Sequence, residues 1–163
     1  MEITIKKLRH CASLSQETHA FTAIICVDGV AAFEASNGGC GGPDQYHELR
    51  GYSGPSTAAI DAWLAANTPP SKGESYELPN CLEFVVCDLI NAELARKRLD
   101  RLLKAKVIVI DTAEGAPVLF AYKLRPTPEA LATIRGRIAS GQMRGELVNG
   151  AEEPVIARAL SLV

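Results

Sequence analysis

The chain has 163 residues, 47% of them apolar and 22% charged, with a formal net charge of −2. That length fits one domain that buries about two thirds of its unfolded surface. The composition excludes collagenous, intrinsically disordered and disulfide-framework chains. The five cysteines, Cys11, Cys26, Cys40, Cys81 and Cys87, are odd in number and leave at least one free thiol. The start, Met1-Glu2-Ile3-Thr4-Ile5-Lys6-Lys7, lacks the apolar segment of a secretory signal. Runs such as Val107 to Ile110 fall far short of the ~20 residues of a membrane span. Reduced cysteines in a cytoplasmic, membrane-free protein are therefore expected.

Residues 2–9 alternate, with Ile3, Ile5 and Leu8 set against Lys6 and Arg9, which is strand periodicity. Residues 18–27 are rich in β-branched and aromatic types and predict a second strand. Asp28-Gly29 is a hairpin signal, and Val30 to Ala35 returns as a third strand with Phe33 inward. The N-terminal third is thus predicted to be a three-stranded antiparallel meander. Residues 36–55 hold six glycines and two prolines and read as a loop with left-handed positions. Pro55 suits a first helical position, and 56–67 form a helix with Ile60, Trp63 and Leu64 on one face. Asn67 and Pro69-Pro70 stop it.

A polar connection, 68–79, leads to Asn80 and Glu83, spaced as a capping box. A long helix follows from about Cys81 to Lys104, its apolar stripe marked by Leu82, Val85, Val86, Leu89, Ala92, Leu99, Leu102 and Leu103. Early acids (Glu83, Asp88) and late bases (Arg98, Arg101, Lys104) suit the helix dipole. Lys106–Ile110 and Val118–Leu124 read as an antiparallel strand pair around a turn at 111–117. Thr127-Pro128-Glu129 opens a helix that runs to about Ser140 and stops at Gly141. A short extended piece near Leu147-Val148 precedes a last helix from about Glu152, burying Val155, Ile156, Leu160 and Leu162. The predicted fold is a single α+β domain over 1–163: the meander and a second hairpin form antiparallel sheet, packed by about four helices.

The small net charge hides an asymmetry. Residues 1–95 carry 5 bases and 12 acids, residues 96–144 carry 11 bases and 4 acids, and the tail has 1 base and 3 acids. Arg96, Lys97, Arg98, Arg101, Lys104 and Lys106 crowd one helix end. Three readings fit them: a solvated face complementing the dipole, a contact surface for an acidic partner, or phosphate contact with nucleic acid. An overall pI of 5.9 and the lack of interleaved aromatics, save Phe120 and Tyr122 downstream, argue against the third.

The Gly38–Gly42 loop offers backbone N–H groups to an anion, but no Gly-Lys-Ser/Thr follows and the dinucleotide spacing is absent. The plainer reading is a loop needing left-handed φ or close backbone approach. Cys40, Asp44 and His47 lie within eight residues and are the candidates for nucleophile, orienting group and base of a cysteine-dependent hydrolase or transferase. The metal-ligand types, His10, Cys11, His19, Cys26, Cys40, His47, Cys81 and Cys87, contain no Cys-x-x-Cys, and no metal or other cofactor is expected. Cys26, Cys81 and Cys87 read as core thiols, and His10 and His19 as strand-flanking residues. Tyr46, Tyr52 and Trp63 either cap the sheet or form a recognition patch.

The stretch Val27-Asp28-Gly29, then Ser36-Asn37-Gly38-Gly39-Cys40-Gly41-Gly42-Pro43-Asp44-Gln45-Tyr46, resembles small uncharacterised proteins of bacteria, phages and prophages. Those proteins open on an Ile/Thr/Lys-rich strand, then carry a Val-Asp-Gly hairpin and a Ser-Asn-x-Gly-x-Gly-Gly segment. The likeness covers about the first 50 residues. Many of them carry Gly-His-Gly-Gly where this chain has Cys40, so no histidine role there carries over. The resemblance brings no activity. It implies an origin on mobile elements, whose small proteins often bind host machinery, including inhibitors of defence complexes such as CRISPR effectors. The expected function is a non-enzymatic interaction protein for a protein or ribonucleoprotein partner. Its contacts would be Arg96, Lys97, Arg98, Arg101, Lys104, Tyr46 and Tyr52. The alternatives are the cysteine-dependent enzyme and a nucleic-acid binder using the 96–106 helix end.

Overall fold

A computed structural model describes residues 1–72, 77–112 and 115–163. Residues 73–76 of the predicted 68–79 connection and 113–114 of the predicted 111–117 turn lie outside them. Among the described residues the architecture is α+β, with four helices and antiparallel sheets. The chain divides into two compact units, Met1–Asn91 and Ala92–Val163. Among the described residues no helix is long and apolar enough to cross a membrane.

The first unit is built on a meander of β1 (Ile3–His10), β2 (Ala20–Val27), β3 (Val30–Gly38) and β4 (Gln45–Glu48), in that order across the sheet. Asp28 and Gly29 both take positive φ, 49° and 83°, between the paired Val27 and Val30. That is the geometry a two-residue turn of this sequence demands. The alternation of β1 breaks at Lys6 and Lys7, both exposed. A register shift sits there with Lys7 at φ 54°, and this bulge lets Leu8 follow Ile5 as a half-buried residue.

The meander has four strands, not three. The predicted 36–55 loop contains β4, paired through Phe33↔Glu48 to Ser36↔Gln45. Its alternation is too short to stand out locally. Its reason is lateral: it satisfies the backbone of β3 and lays Tyr46 against the buried Phe33, ring centroids 6.4 Å apart.

Helix α1 (Thr57–Asn67) is capped by Ser56, whose hydroxyl accepts from the Ala59 N–H (3.3 Å). Pro55 therefore stands just before the cap and not inside the helix. Ile60 and Leu64 are buried and Trp63 is half-buried. The two-residue strands β5 (Ser71–Lys72) and β6 (Glu77–Leu78) pair across the connection.

Helix α2 (Leu82–Ala105) begins on a cap from another element. Asp61 Oδ1 of α1 accepts from the Leu82 N–H (2.7 Å), while Asn80 Oδ1 takes only the adjacent Cys81 N–H (3.0 Å). The capping box read from the sequence is thus replaced by Asp61. Ile90, buried like Leu82 and Val86, takes the core position that the stripe gave to Leu89.

In the second unit β7 (Val107–Asp111) lies between β8 (Val118–Tyr122) and β9 (Glu146–Leu147), all antiparallel. Val107 to Ile110 are all buried because both faces of β7 are covered. On one face Ile108 and Ile110 cluster with Leu99, Val148 and Ala159. On the other, Val107 and Val109 cluster with Ile134 of α3 (Pro128–Ala139). Thr127 caps α3, its hydroxyl accepting from the Ala130 N–H (3.3 Å), with Pro128 in the first turn. Val155, Ile156, Leu160 and Leu162, in and just after α4 (Glu153–Leu160), pack partly buried against the first cluster. The second hairpin thus completes its own sheet with β9.

Candidate functional site

The glycine loop turns its backbone inward. Gly39, at φ 85°, is buried, and its carbonyl accepts from the N–H groups of Gln16 (2.9 Å) and Glu17 (3.1 Å). Its own N–H donates to Asn37 Oδ1 (2.8 Å), and the Gly41 N–H donates to Thr18 Oγ1 (3.4 Å). These donors are occupied by protein oxygens.

Of the three residues grouped by sequence, Cys40 is exposed, with its thiol 3.9 Å from the Gly38 carbonyl. Asp44 accepts from Asn37 Nδ2 (2.9 Å) and from the Tyr46 hydroxyl (3.1 Å). His47 is exposed and stands opposite Glu34 in the register. Among the described residues no hydrogen bond joins any two of Cys40, Asp44 and His47.

Asp44 instead lines a cleft of about 350 Å³ together with His19, Glu83, Cys87 and Ser15. These residues come from chain segments far apart, which is why the sequence did not group them. Asn91 bridges two of them: its Oδ1 accepts from His19 Nε2 (2.8 Å) and its Nδ2 donates to Cys87 Sγ (3.6 Å). With Nε2 of His19 as donor, Nδ1 is left to accept from His10 Nε2, 3.3 Å away. Ser15 Oγ lies 3.1 Å from that same His10 nitrogen, but its proton goes to the Cys11 carbonyl (2.9 Å) while it accepts from the Ala20 N–H (2.9 Å).

The chemistry of this cleft is that of a buttressed corner. A nucleophile needs a base to take its proton, and the Ser15 hydroxyl spends its proton on backbone. The Cys87 side chain is exposed overall, but partial desolvation at the cleft wall, and then Asp88, Asp44 and Glu83, push its thiol up, so it stays protonated at neutral pH. Cys87 is exposed and Cys81 half-buried, which corrects their reading as core thiols, whereas Cys26 is fully buried. Among the described residues no group of three or more His, Cys, Asp or Glu is placed to hold a metal.

Tyr46 and Tyr52 meet edge-on against the same ring, Phe33, with centroids 6.4 and 5.3 Å away. The Tyr52 hydroxyl donates to the Pro55 carbonyl (3.2 Å). The Tyr46 phenol is held far above its ordinary value, first by burial and then by Asp44 beside it. Both tyrosines are half-buried caps on the sheet.

In the second unit the helix end is cationic. Leu99 is buried and Leu102 and Leu103 pack beside it, so Arg96, Lys97, Arg98, Arg101 and Lys104 are exposed. Lys97 pairs with Glu93 (3.2 Å), and Arg101 Nε donates back to the Lys97 carbonyl (3.4 Å). Among the described residues Arg96, Arg98, Arg101 and Lys104 have no carboxylate partner. The unit carries 12 bases against 8 acids, a net +4, whereas the first carries 5 against 11. No family model, curated protein or solved structure matches this chain.

Proposed function

We propose that the protein is a non-enzymatic interaction protein that engages an acidic protein or ribonucleoprotein partner through the cationic side of α2. The observation that carries this is the set Arg96, Arg98, Arg101 and Lys104, exposed and without carboxylate partners among the described residues. Among the described residues no carboxylate pairs with them, and their charge can steer and hold an acidic surface. The enzymatic alternative has less to support it, because among the described residues Cys40 hydrogen-bonds only the Gly38 carbonyl and Cys87 only Asn91, neither of them a base. The resemblance of the first 50 residues adds a host defence complex to the candidate partners.

The test is affinity capture from the native host with the full chain and with a variant carrying Arg96→Glu, Lys97→Glu, Arg98→Glu and Arg101→Glu, read by mass spectrometry. The expected result is a partner lost from the variant while its melting temperature is unchanged. Capture of the same proteins by both forms overturns the proposal. Salt-sensitive gel retardation of bare nucleic acid by the native chain alone transfers the face to the nucleic-acid reading.

A further inference from the structure

We infer that the free edge of β8 takes up an extended acidic and apolar peptide segment of the partner as a fourth strand of the β8-β7-β9 sheet. The inference rests on the reading of the chain as an interaction protein and adds a second face with its own chemistry. Among the described residues β8 pairs on one side only, with β7. Its residues Val-Leu-Phe-Ala-Tyr contain no charge, proline or glycine, so the edge lacks the features that normally discourage pairing.

Cross-strand partners share a face, and Val109↔Phe120 and Val107↔Tyr122 are partners. On that face Ile134 of α3 covers Val107 and Val109. The β8 share remains open: Val118, Phe120 and Tyr122, continued by Leu124, are 52%, 49%, 38% and 44% exposed. An apolar row of this length on a strand edge marks an interaction site.

The charge beside the row selects the occupant. A cavity of about 440 Å³ is lined by Tyr122, Leu124, Ile134 and Met143 together with Lys123 and Arg137. It has two cations and no carboxylate, and neither cationic side chain has a hydrogen-bond or ion-pair partner among the described residues. A strand laid along β8 would set apolar side chains over Phe120 and Tyr122 and bring a carboxylate to Lys123 and Arg137. The β8 of a second copy offers the apolar row but no carboxylate, so it leaves those cations unneutralised.

The probe is a fluorescein-labelled ten-residue peptide of alternating Val and Glu, titrated against the full chain by fluorescence anisotropy, with the Val and Lys counterpart as control. The expected result is saturable binding of the Glu peptide only. It should weaken about tenfold or more in Phe120→Ser and in Lys123→Glu with Arg137→Glu, and change less than about twofold in Arg96→Glu with Arg98→Glu. Should Phe120→Ser fail to fold, Lys123→Glu at its exposed position decides. No saturable binding, equal binding of both peptides, or indifference to these variants overturns the inference. Twelve-nucleotide oligouridylate binding with the same variant dependence assigns the row to RNA instead. A dimer in light scattering that Phe120→Ser dissociates assigns it to a second copy. Peptide binding that persists while capture through α2 fails counts against the α2 proposal alone.

Discussion

His10 Nε2 lies 3.3 Å from His19 Nδ1, and the two rings meet edge-to-face with centroids 5.2 Å apart. The pair fits one shared proton at this contact, since protonating both rings would set two N–H groups against each other.

A pH dependence follows from that contact. The His10 imidazole is held below its ordinary value of 6.5, by burial first and by His19 second. The unfolded chain therefore binds this proton more readily than the folded one. The His10 contribution is complete above pH 6.5 and is lost as the pH falls from there through the lower folded value. The melting temperature should drop between pH 7.5 and pH 5.5, and by less in His10→Gln. An equal drop in both proteins would show that this pair does not carry the effect.

Gly39 and Gly42 sit three residues apart in one loop yet should respond oppositely to alanine. A Cβ on Gly39 would meet the Leu14 carbonyl and the Ala20 side chain at a φ of 85°, whereas one on Gly42 has open space. Gly39→Ala should cost about 2 kcal/mol or more, and Gly42→Ala less than about 0.5 kcal/mol, in urea unfolding followed by Trp63 fluorescence. Comparable costs would mean that the loop does not need its left-handed position.

Asn149 is the buried polar side chain that joins three backbone groups. Its Oδ1 accepts from the Ile108 N–H (2.7 Å), and its Nδ2 donates to the carbonyls of Leu103 (3.0 Å) and Lys106 (2.9 Å). Asn149→Leu leaves all three unpaired and should destabilise the second unit by about 3 kcal/mol, measured as loss of amide hydrogen-exchange protection on β7. Unchanged protection at Ile108 would exclude this role.

Thiol reactivity should rank by environment. The Cys11 thiol is exposed and held below its ordinary value, chiefly by the Ser13 hydroxyl 3.3 Å away, while Cys87 is pushed up. Under limiting iodoacetamide at pH 8, with peptide mapping by mass, Cys11 should label before Cys87, and the buried Cys26 only after unfolding. A Cys40 faster than Cys11 and faster than free cysteine would revive the cysteine-dependent alternative.

Elements governed by local rules were legible in the residues. The Asp28-Gly29 turn, the Thr127 cap and the long stripe of α2 each depend on side chains within a few positions of one another. Of the candidate site residues, the cations on α2 could be placed on a face, because a helix fixes direction at 3.6 residues per turn. Asp44 hydrogen-bonds Asn37 and Tyr46 and, among the described residues, neither Cys40 nor His47, its neighbours in the sequence.

The chain's own text determined an antiparallel α+β fold, the two opposed charge blocks and a strand at Val107–Ile110 apolar on every residue. Only the tertiary structure decided that β4 joins the meander, that Asp61 caps α2 and that His10, His19 and Asn91 meet. It alone decided that β8 keeps an uncovered apolar row. Each of these outcomes depends on groups brought together from separate elements, from nine residues apart for His10 and His19 to 72 for His19 and Asn91, where backbone pairing and burial choose among arrangements that local periodicity leaves equivalent.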